Sequence, residues 1–504
     1  MKKISISIIS VLINLFALSQ VELNFLKSYG NTADDVGRGI TINNSNDYYN
    51  VGNFIGTLDF ADTLLQSNSS ENDIYIARFS STGNLIWAER AGGTLGDLPY
   101  DVVSDNDGNC YITGYFRDVS SFGDTSIIAQ NSINAMFLAK YDSTGIFQWV
   151  ESAGISSNGA QGLDIQIDNN GNCYITGIIN GISDFGSTTI TSNGNNDGFV
   201  AKYNTDGDLL WVQGIGGSGD EIIYSINIDD NEYIYFTGVF TNNTNIGGYS
   251  LTNNGSKDIF IGKLNSLGNI LWVSSAGGTS VDYGRDIVSD FSGNCFVVGY
   301  FGNAAYFGNQ TIVSQDGFDI FLASYNSNGQ LNWVSSIGGE GLDYAYGLSY
   351  SAMGALYLTG RFDDTLSFST QSLISNGGSD IFFSKYDLLG NFLWAESFGS
   401  IGYDAAINID VSETGTIALT GYFQNTMTID TITVSSNGGK DIFVASFEDN
   451  NINYCGVPNS YFNTSINYTE ISIEPFYPYD TSLYFLSWQM GDGTEFYQMT
   501  SVQY

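Results

Sequence analysis

The residues best placed to do chemistry are acids that recur at one fixed offset. Asp35, Asp97, Glu221, Asp282, Asp343 and Asp404 each stand ten positions after an aromatic residue, namely Phe25, Trp87, Trp211, Trp272, Trp333 and Trp394. The same offset from Trp149 falls on Gly159. Carboxylates converging from such positions would offer a hard cation such as Ca²⁺ the several oxygen ligands it prefers. The alternative is structural: each carboxylate accepts hydrogen bonds from backbone N–H groups of its own loop. Like charges about 10 Å apart in water repel by only about 0.4 kcal/mol per pair, so such a ring persists without a metal. Repetition along the whole chain also suits a structural device better than a single site, and the structural reading is favoured. No other metal or cofactor is expected.

Further chemistry is narrowed by what is missing. The chain has 0 histidines, which removes Ser-His-Asp and Cys-His catalysis and His-ligated zinc. Cys110, Cys173 and Cys295 share one repeat position, in GNCYITGYF, GNCYITGII and GNCFVVGYF. Equivalent positions on separate repeats lie too far apart for a disulfide, so they read as small buried residues. DNDGN (105–109) and DNNGN (168–172) lack the continuation of a calcium loop and read as hairpin turns. Arg78, Lys140, Lys202, Lys263 and Lys385 are spread one per repeat and form no basic patch. Asp101, Asp164 and Asp286 are the conspicuous acids near the first strand of a repeat. Each has a near counterpart in another repeat, whereas a catalytic pair needs residues that break the repeat.

With 15 Lys+Arg against 53 Asp+Glu, the formal charge is −38, which excludes a general nucleic-acid binder. Aromatic residues make up 14 % of the chain, too many for a disordered acidic segment. Residues 1–20 open with Lys2 and Lys3, continue through an apolar run from Ile4 to Leu18, and reach Ala17-Leu18-Ser19. This is the pattern of a secretory signal peptide. No later stretch approaches the about 20 apolar residues of a membrane span. The expected location is extracellular or at the cell surface.

The elements that position these residues follow from periodicity. Trp87, Trp149, Trp211, Trp272, Trp333 and Trp394 recur every 61 or 62 residues, and Gly52, Gly114, Gly177, Gly238, Gly299, Gly360 and Gly421 keep nearly the same step. A period of that size sets the architecture. One unit contains four strand candidates: DIVSD (286–290), NCFVVGYF (294–301), DIFLASYN (319–326) and LNWVSSIGG (331–339). A longer polar passage separates the second from the third. Alternating apolar residues punctuated by Gly, Asn and Asp indicate antiparallel strands. The last turn reads DSTG (142–145), NTDG (204–207) and NSNG (326–329), suited to a type I turn closed by a left-handed glycine.

The two ends of the array are complementary. NFLKSYG (24–30) matches a fourth strand, LWAESFG (393–399), and the array stops at a third strand, DIFVASF (441–447). Each strand type then occurs seven times if the N-terminal strand completes the last unit, which is how a propeller closes its ring. The fold expected is all-β: a seven-bladed β-propeller of four-stranded antiparallel blades over 21–450, closed by the N-terminal strand.

Units such as GNCYITGYF (108–116), DIFLASYN (319–326) and LWVSSAGG (271–278) resemble the bacterial SBBP-type β-propeller repeat, over roughly residues 24–449. Ala135 departs from the pattern where Asp73, Asp197, Asp258, Asp319, Asp380 and Asp441 stand. The resemblance implies a propeller at the cell exterior and no particular activity. After Asp449 the repeat ends, and Cys455 falls 61 residues beyond Trp394 without a strand repeat around it. SWQMGDGTEF (487–496) is similar to the core of PKD-type immunoglobulin-like domains. Residues 451–504 are too few for a whole sandwich and are expected to be a partial β-sandwich-like segment.

The functional expectation is a non-enzymatic binding or scaffold module for an extracellular protein or glycan. The alternative is a carbohydrate-active enzyme working at the mouth of the central channel.

Overall fold

The computed structural model describes residues 20–130, 133–155 and 159–449, with strands at Ser465–Asn467, Glu470–Ser472, Tyr484–Gln489 and Glu495–Thr500. The chain divides into two compact units at Tyr454/Cys455. In the smaller unit, two antiparallel hairpins pair Ser465–Asn467 with Glu470–Ser472 and Tyr484–Gln489 with Glu495–Thr500. Gln489 stands opposite Glu495, so the second hairpin spans the PKD-like motif, whose central residues 490–494 lie outside the described residues. The expected signal peptide, apart from Gln20, and Cys455 also lie outside them.

The larger unit is all-β, a repeat β-propeller with no α-helix among the described residues. One representative blade runs outward through Tyr283–Ser289, Cys295–Phe307, Gln310–Tyr325 and Leu331–Glu340, each antiparallel to its neighbour. Alternation of Val, Ile and Phe with smaller residues favours strands, and the turns between them are closed locally. At the third-to-fourth turn of the second blade, Asp142 accepts the N–H groups of Thr144 and Ile146, while Gly145 N–H returns to the Asp142 carbonyl.

The longer polar passage between second and third strands, outside the four strand candidates of the unit, is itself a hairpin. Ala304–Phe307 pairs with Gln310–Val313 around Gly308, which has φ +58. Its inner edge returns to the preceding blade, where Ala305–Phe307 pairs with Ala276–Gly278. Ser120–Phe122 likewise pairs with Ala91–Gly93, and Thr365–Ser367 with Gly338–Glu340. Neighbouring blades are thereby joined by backbone hydrogen bonds. Polar composition concealed these strands, but the recurring Phe-Gly-(Asp/Ser/Asn) tips at 122–124, 185–187 and 307–309 mark their turns.

The core lies between blades. Ile259, Ile261 and Trp272 of one blade pack with Ile287, Val297 and Phe321 of the next. The same pattern joins the two ends of the array: Phe25, Ala418, Ile442 and Val444 share a cluster with Tyr48, Tyr75 and Phe79. Val21–Tyr29 lies antiparallel to Asp441–Asp449, with Tyr29 opposite Ile442 and Val21 opposite Asp449.

The tryptophans act as buckles. Trp272 Nε1 donates to the Ser327 carbonyl in the next blade's turn at 3.0 Å, and Trp87, Trp149, Trp211 and Trp333 reach Ser143, Thr205, Ser266 and Leu388 in the same way. The indole also covers the glycine of that turn. Gly329 has φ +77, and a Cβ there would stand 2.6 Å from Trp272 ring atoms. Gly329→Ala should therefore lose about 2–4 kcal/mol, from the left-handed backbone and the collision together. Gly308→Ala, where φ is +58 and nothing lies within 4 Å, should lose about 1–2 kcal/mol. Equilibrium denaturant unfolding of both variants separates the two contributions.

Candidate functional site

The recurrent acids are placed by the structure inside the loops rather than around an opening. Asp35, Asp97, Glu221, Asp282, Asp343 and Asp404 are all 0 % exposed. Each lies on the connection from a fourth strand to the next first strand and accepts an N–H four residues back. The donors are Asn31, Gly93, Gly217, Gly278 and Gly339, with Ser400 as donor to Asp404. Four of them also accept an N–H twenty residues ahead, from Ile55, Arg117, Gly302 or Gln424 at the end of the second strand. One carboxyl thus ties two connections together. Where Gly159 replaces the acid, its carbonyl takes over, accepting from Asn180 N–H and Ser183 Oγ.

None of these six lines the central cavity. The expected ring at the channel mouth is corrected in this respect, because the side chains turn onto backbone donors of their own blade. Among the described residues no group of three or more His, Cys, Asp or Glu could hold a metal ion. Burial pushes these carboxyls up, to about 7 in Asp35, Asp97 and Glu221 and to about 6 in Asp282. In Asp343 burial, reinforced by the charge of Asp319, takes it to about 8. Cys110, Cys173 and Cys295 are buried and free, with their thiols pushed up by burial.

The cavity itself, about 810 Å³, is walled by the first strands. These are Val36–Ile42, Leu98–Ser104, Ala160–Ile167, Glu221–Ile228, Tyr283–Ser289, Asp343–Ser351 and Ala405–Val411. Each pairs with its second strand through a β-bulge, and the bulged residues are Arg38, Tyr100, Leu163, Tyr224, Arg285, Tyr346 and Ile407. All of them line the cavity. A bulge bends its strand and re-aims one side chain, which here places it at the centre. Sequence reasoning missed this set. Its signal was available: in most blades it is the residue three after the recurrent acid, a position where Arg, Tyr and Ile alternate between otherwise similar repeats.

The bulged residues hold one another by stacking. The Arg285 guanidinium lies over Tyr224 at 4.6 Å and Tyr346 at 5.6 Å, and Arg38 lies over Tyr100 at 5.4 Å. Arg361 Nε donates to Tyr346 Oη at 3.1 Å while its guanidinium covers Tyr344. Tyrosines continue outward through Tyr283, Tyr300 and Tyr344. Burial lowers the affinity of Arg38 for its proton.

One or three residues past the bulge, polar side chains staple first strands to their neighbours. Asp164 accepts Ile226 N–H at 2.7 Å, Asp286 accepts Leu348 N–H at 2.6 Å, and Ser349 accepts Val411 N–H at 3.1 Å. Asp410 accepts Ile42 N–H at 2.8 Å, joining the last first-strand to the earliest. Burial, with the charge of Asp164 beside it, pushes Asp101 well up, and burial raises Asp164 as well. Burial takes Asp286 to about 7. Farther along the strands the lining is acidic, with Asp229, Asp230, Asp290 and Glu413. Five residues of extended strand span about 16 Å, so the cavity runs from an Arg/Tyr end to an acidic end.

No family model matches the chain. An uncharacterised WD repeat-containing protein of Acanthamoeba polyphaga mimivirus is 24 % identical over 448 residues, which cover 70 % of this chain. The chain spans about a third (31 %) of the length of that curated relative. Among solved structures, BamB from Moraxella catarrhalis is similar with a TM-score of 0.37 and 12 % identity, over 85 % of this chain and 99 % of that one. A calcium-binding regucalcin from Agrobacterium tumefaciens has a TM-score of 0.31 and 11 % identity, over 66 % of this chain and 86 % of that one.

The raised carboxyls fix the direction of a pH effect. The folded chain binds their protons more tightly than the unfolded chain, so their contribution favours folding below about pH 4 and is lost as pH rises through 6 to 8. The unfolding midpoint should fall between pH 5 and pH 8. Asp343→Asn, which keeps an oxygen for Gly339 N–H but cannot ionise, should flatten that slope. Asp282→Ala should lower stability by about 2–4 kcal/mol by stranding the N–H groups of Gly278 and Gly302. Denaturant unfolding across pH measures both.

Proposed function

We propose that the chain is an exported, seven-bladed β-propeller shut by its N-terminal strand, and that it acts as a non-catalytic binding module for an extracellular protein or glycan through its central channel. Three contacts support closure: the pairing of Val21–Tyr29 with Asp441–Asp449, the Asp410 bond to Ile42 N–H, and the cluster uniting Phe25 and Ile442 with Tyr48. Export rests on the basic, apolar and small-residue pattern of residues 1–20. Among the described residues no helix is long and apolar enough to cross a membrane.

The observation that carries the binding role is the bulged ring. Much of each blade repeats, yet the bulged side chain facing the cavity is Arg, Tyr, Leu or Ile according to the blade. A cavity of about 810 Å³ lies within the usual 300–1,000 Å³ of small-ligand pockets. A second reading, a carbohydrate-active enzyme, draws on the neighbouring carboxyls of Asp101 and Asp164 in the same cavity, the first pushed up by burial and by the charge of the second. Against it, Asp164 is engaged by Ile226 N–H, which holds it to the wall.

Deleting residues 21–29 should abolish cooperative unfolding, because an open third strand and an uncovered blade remain. Retention of a single sharp transition would refute closure. A glycan and protein array run beside a polysaccharide hydrolysis screen tests function: capture without product release is expected, and turnover lost in Asp101→Asn would establish the enzyme instead.

A further inference from the structure

Arg38 and Arg285 are the two cations among the residues that line the cavity. With 53 acids to 15 bases, a cation has acidic partners in abundance, and Arg78, Arg90, Lys202 and Lys385 all form ion pairs. Neither Arg38 nor Arg285 forms one among the described residues. Arg285 Nε is sealed from solvent and has no hydrogen-bond partner there. A sealed N–H without an acceptor is unfavourable, and Arg285 as a whole is half-buried in the cavity wall. Its guanidinium carbon lies over Tyr224 and Tyr346, and its terminal N–H groups have no hydrogen-bond partner among the described residues, which leaves that pair as the fork a ligand could meet.

The acids nearest to these arginines do not neutralise them. Asp286, next in sequence, accepts from Ser225 Oγ, Ile287 N–H and Leu348 N–H. Asp101 and Asp164 are tied to Ile165 and Ile226 N–H. Asp410 is tied to Thr41 Oγ1 and Ile42 N–H. Their oxygens are turned onto the wall of the cavity. A planar two-oxygen anion is the natural complement of the open fork. The phenols of Tyr100, Tyr224 and Tyr346 beside it suit a partner rich in hydroxyls, and the acidic far end bars an anion from passing through.

Resting on the channel as the binding site, we propose that the Arg/Tyr end of the cavity holds a carboxylate-bearing saccharide, a uronic acid at the end of a short glycan, with Arg285 gripping the carboxylate and Arg38 supporting it from another wall.

The test is calorimetric titration of the full chain with galacturonate and trigalacturonate, in parallel with galactose and galactotriose, at low and at raised salt. The uronates should bind more tightly than the neutral sugars by about tenfold or more, and less tightly in raised salt. Arg285→Gln should weaken uronate binding by about tenfold or more. Arg285→Lys, which keeps the charge without the fork, should recover part of it. Arg90→Gln, whose residue pairs with Asp73 outside the cavity, should bind as the parent chain does. Circular dichroism and unfolding midpoints identify any variant that fails to fold, and Arg38→Gln then serves in its place. Equal binding of neutral and acidic sugars, unaffected by Arg285→Gln, overturns the carboxylate inference and leaves the channel as a binding site. Binding of no uronate overturns the inference as well, and the array then judges the binding role independently.

Discussion

A sheet with two apolar faces has to be covered on both sides, and that requirement governs this molecule. Along the second and third strands burial is continuous: every residue of Ile234–Phe240 and Asp258–Leu264 is buried. No blade can satisfy this alone, so the clusters of large side chains fall between blades, and each blade is at once core and cover. Stacking of this kind leaves two uncovered faces unless the ends of the array meet. The proposed closure is therefore the arrangement in which the terminal sheets are covered like all the others.

The same requirement explains why an acid-rich chain buries carboxyls. Stacked sheets need tight connections at their rims, and tight connections leave backbone N–H groups facing inward. A carboxyl with two oxygens can serve two such groups in different loops, as Asp97 serves Gly93 and Arg117. Hydroxyls do related work at the centre, where Ser349 stands in for an aspartate toward Val411. These acids are architectural, and the cavity's character comes instead from cations and phenols on the bulges.

Much of the architecture was legible because it repeats. The spacing of Trp87 through Trp394 fixed the unit, and the likeness of NFLKSYG to a fourth strand located the partner of the last sheet. Two features were not legible, for physical reasons. The outer hairpins are short and polar on the face that meets solvent, and they bury only one or two residues per strand, such as Phe122, Phe307 and Met427, so the run of hydrophobic alternation is too brief to stand out. The bulges add one residue to a strand without altering its composition, and only the pairing register exposes them. Scanning for chemistry by repetition favoured Asp282 and Asp343, whereas the cavity uses Arg285 and Tyr346, where repetition fails. Repeated residues report the scaffold, and the irregular ones report the site.

Trp394 has a different situation from the other indoles. Its Nε1 is buried and finds no acceptor among the described residues, because the following sheet is completed by Val21–Tyr29 and has no chain-continuous turn to offer. Asp449 meets Lys385 and Tyr357 nearby, which secures the third strand at that joint. One junction is thus latched by a carboxylate and another is covered by the Phe25 ring over Gly83, where five are fastened by tryptophan. A permutant with its ends moved to another turn would join Asp449 to Val21 through a turn of the kind the other indoles reach, and the missing acceptor would travel to the new junction.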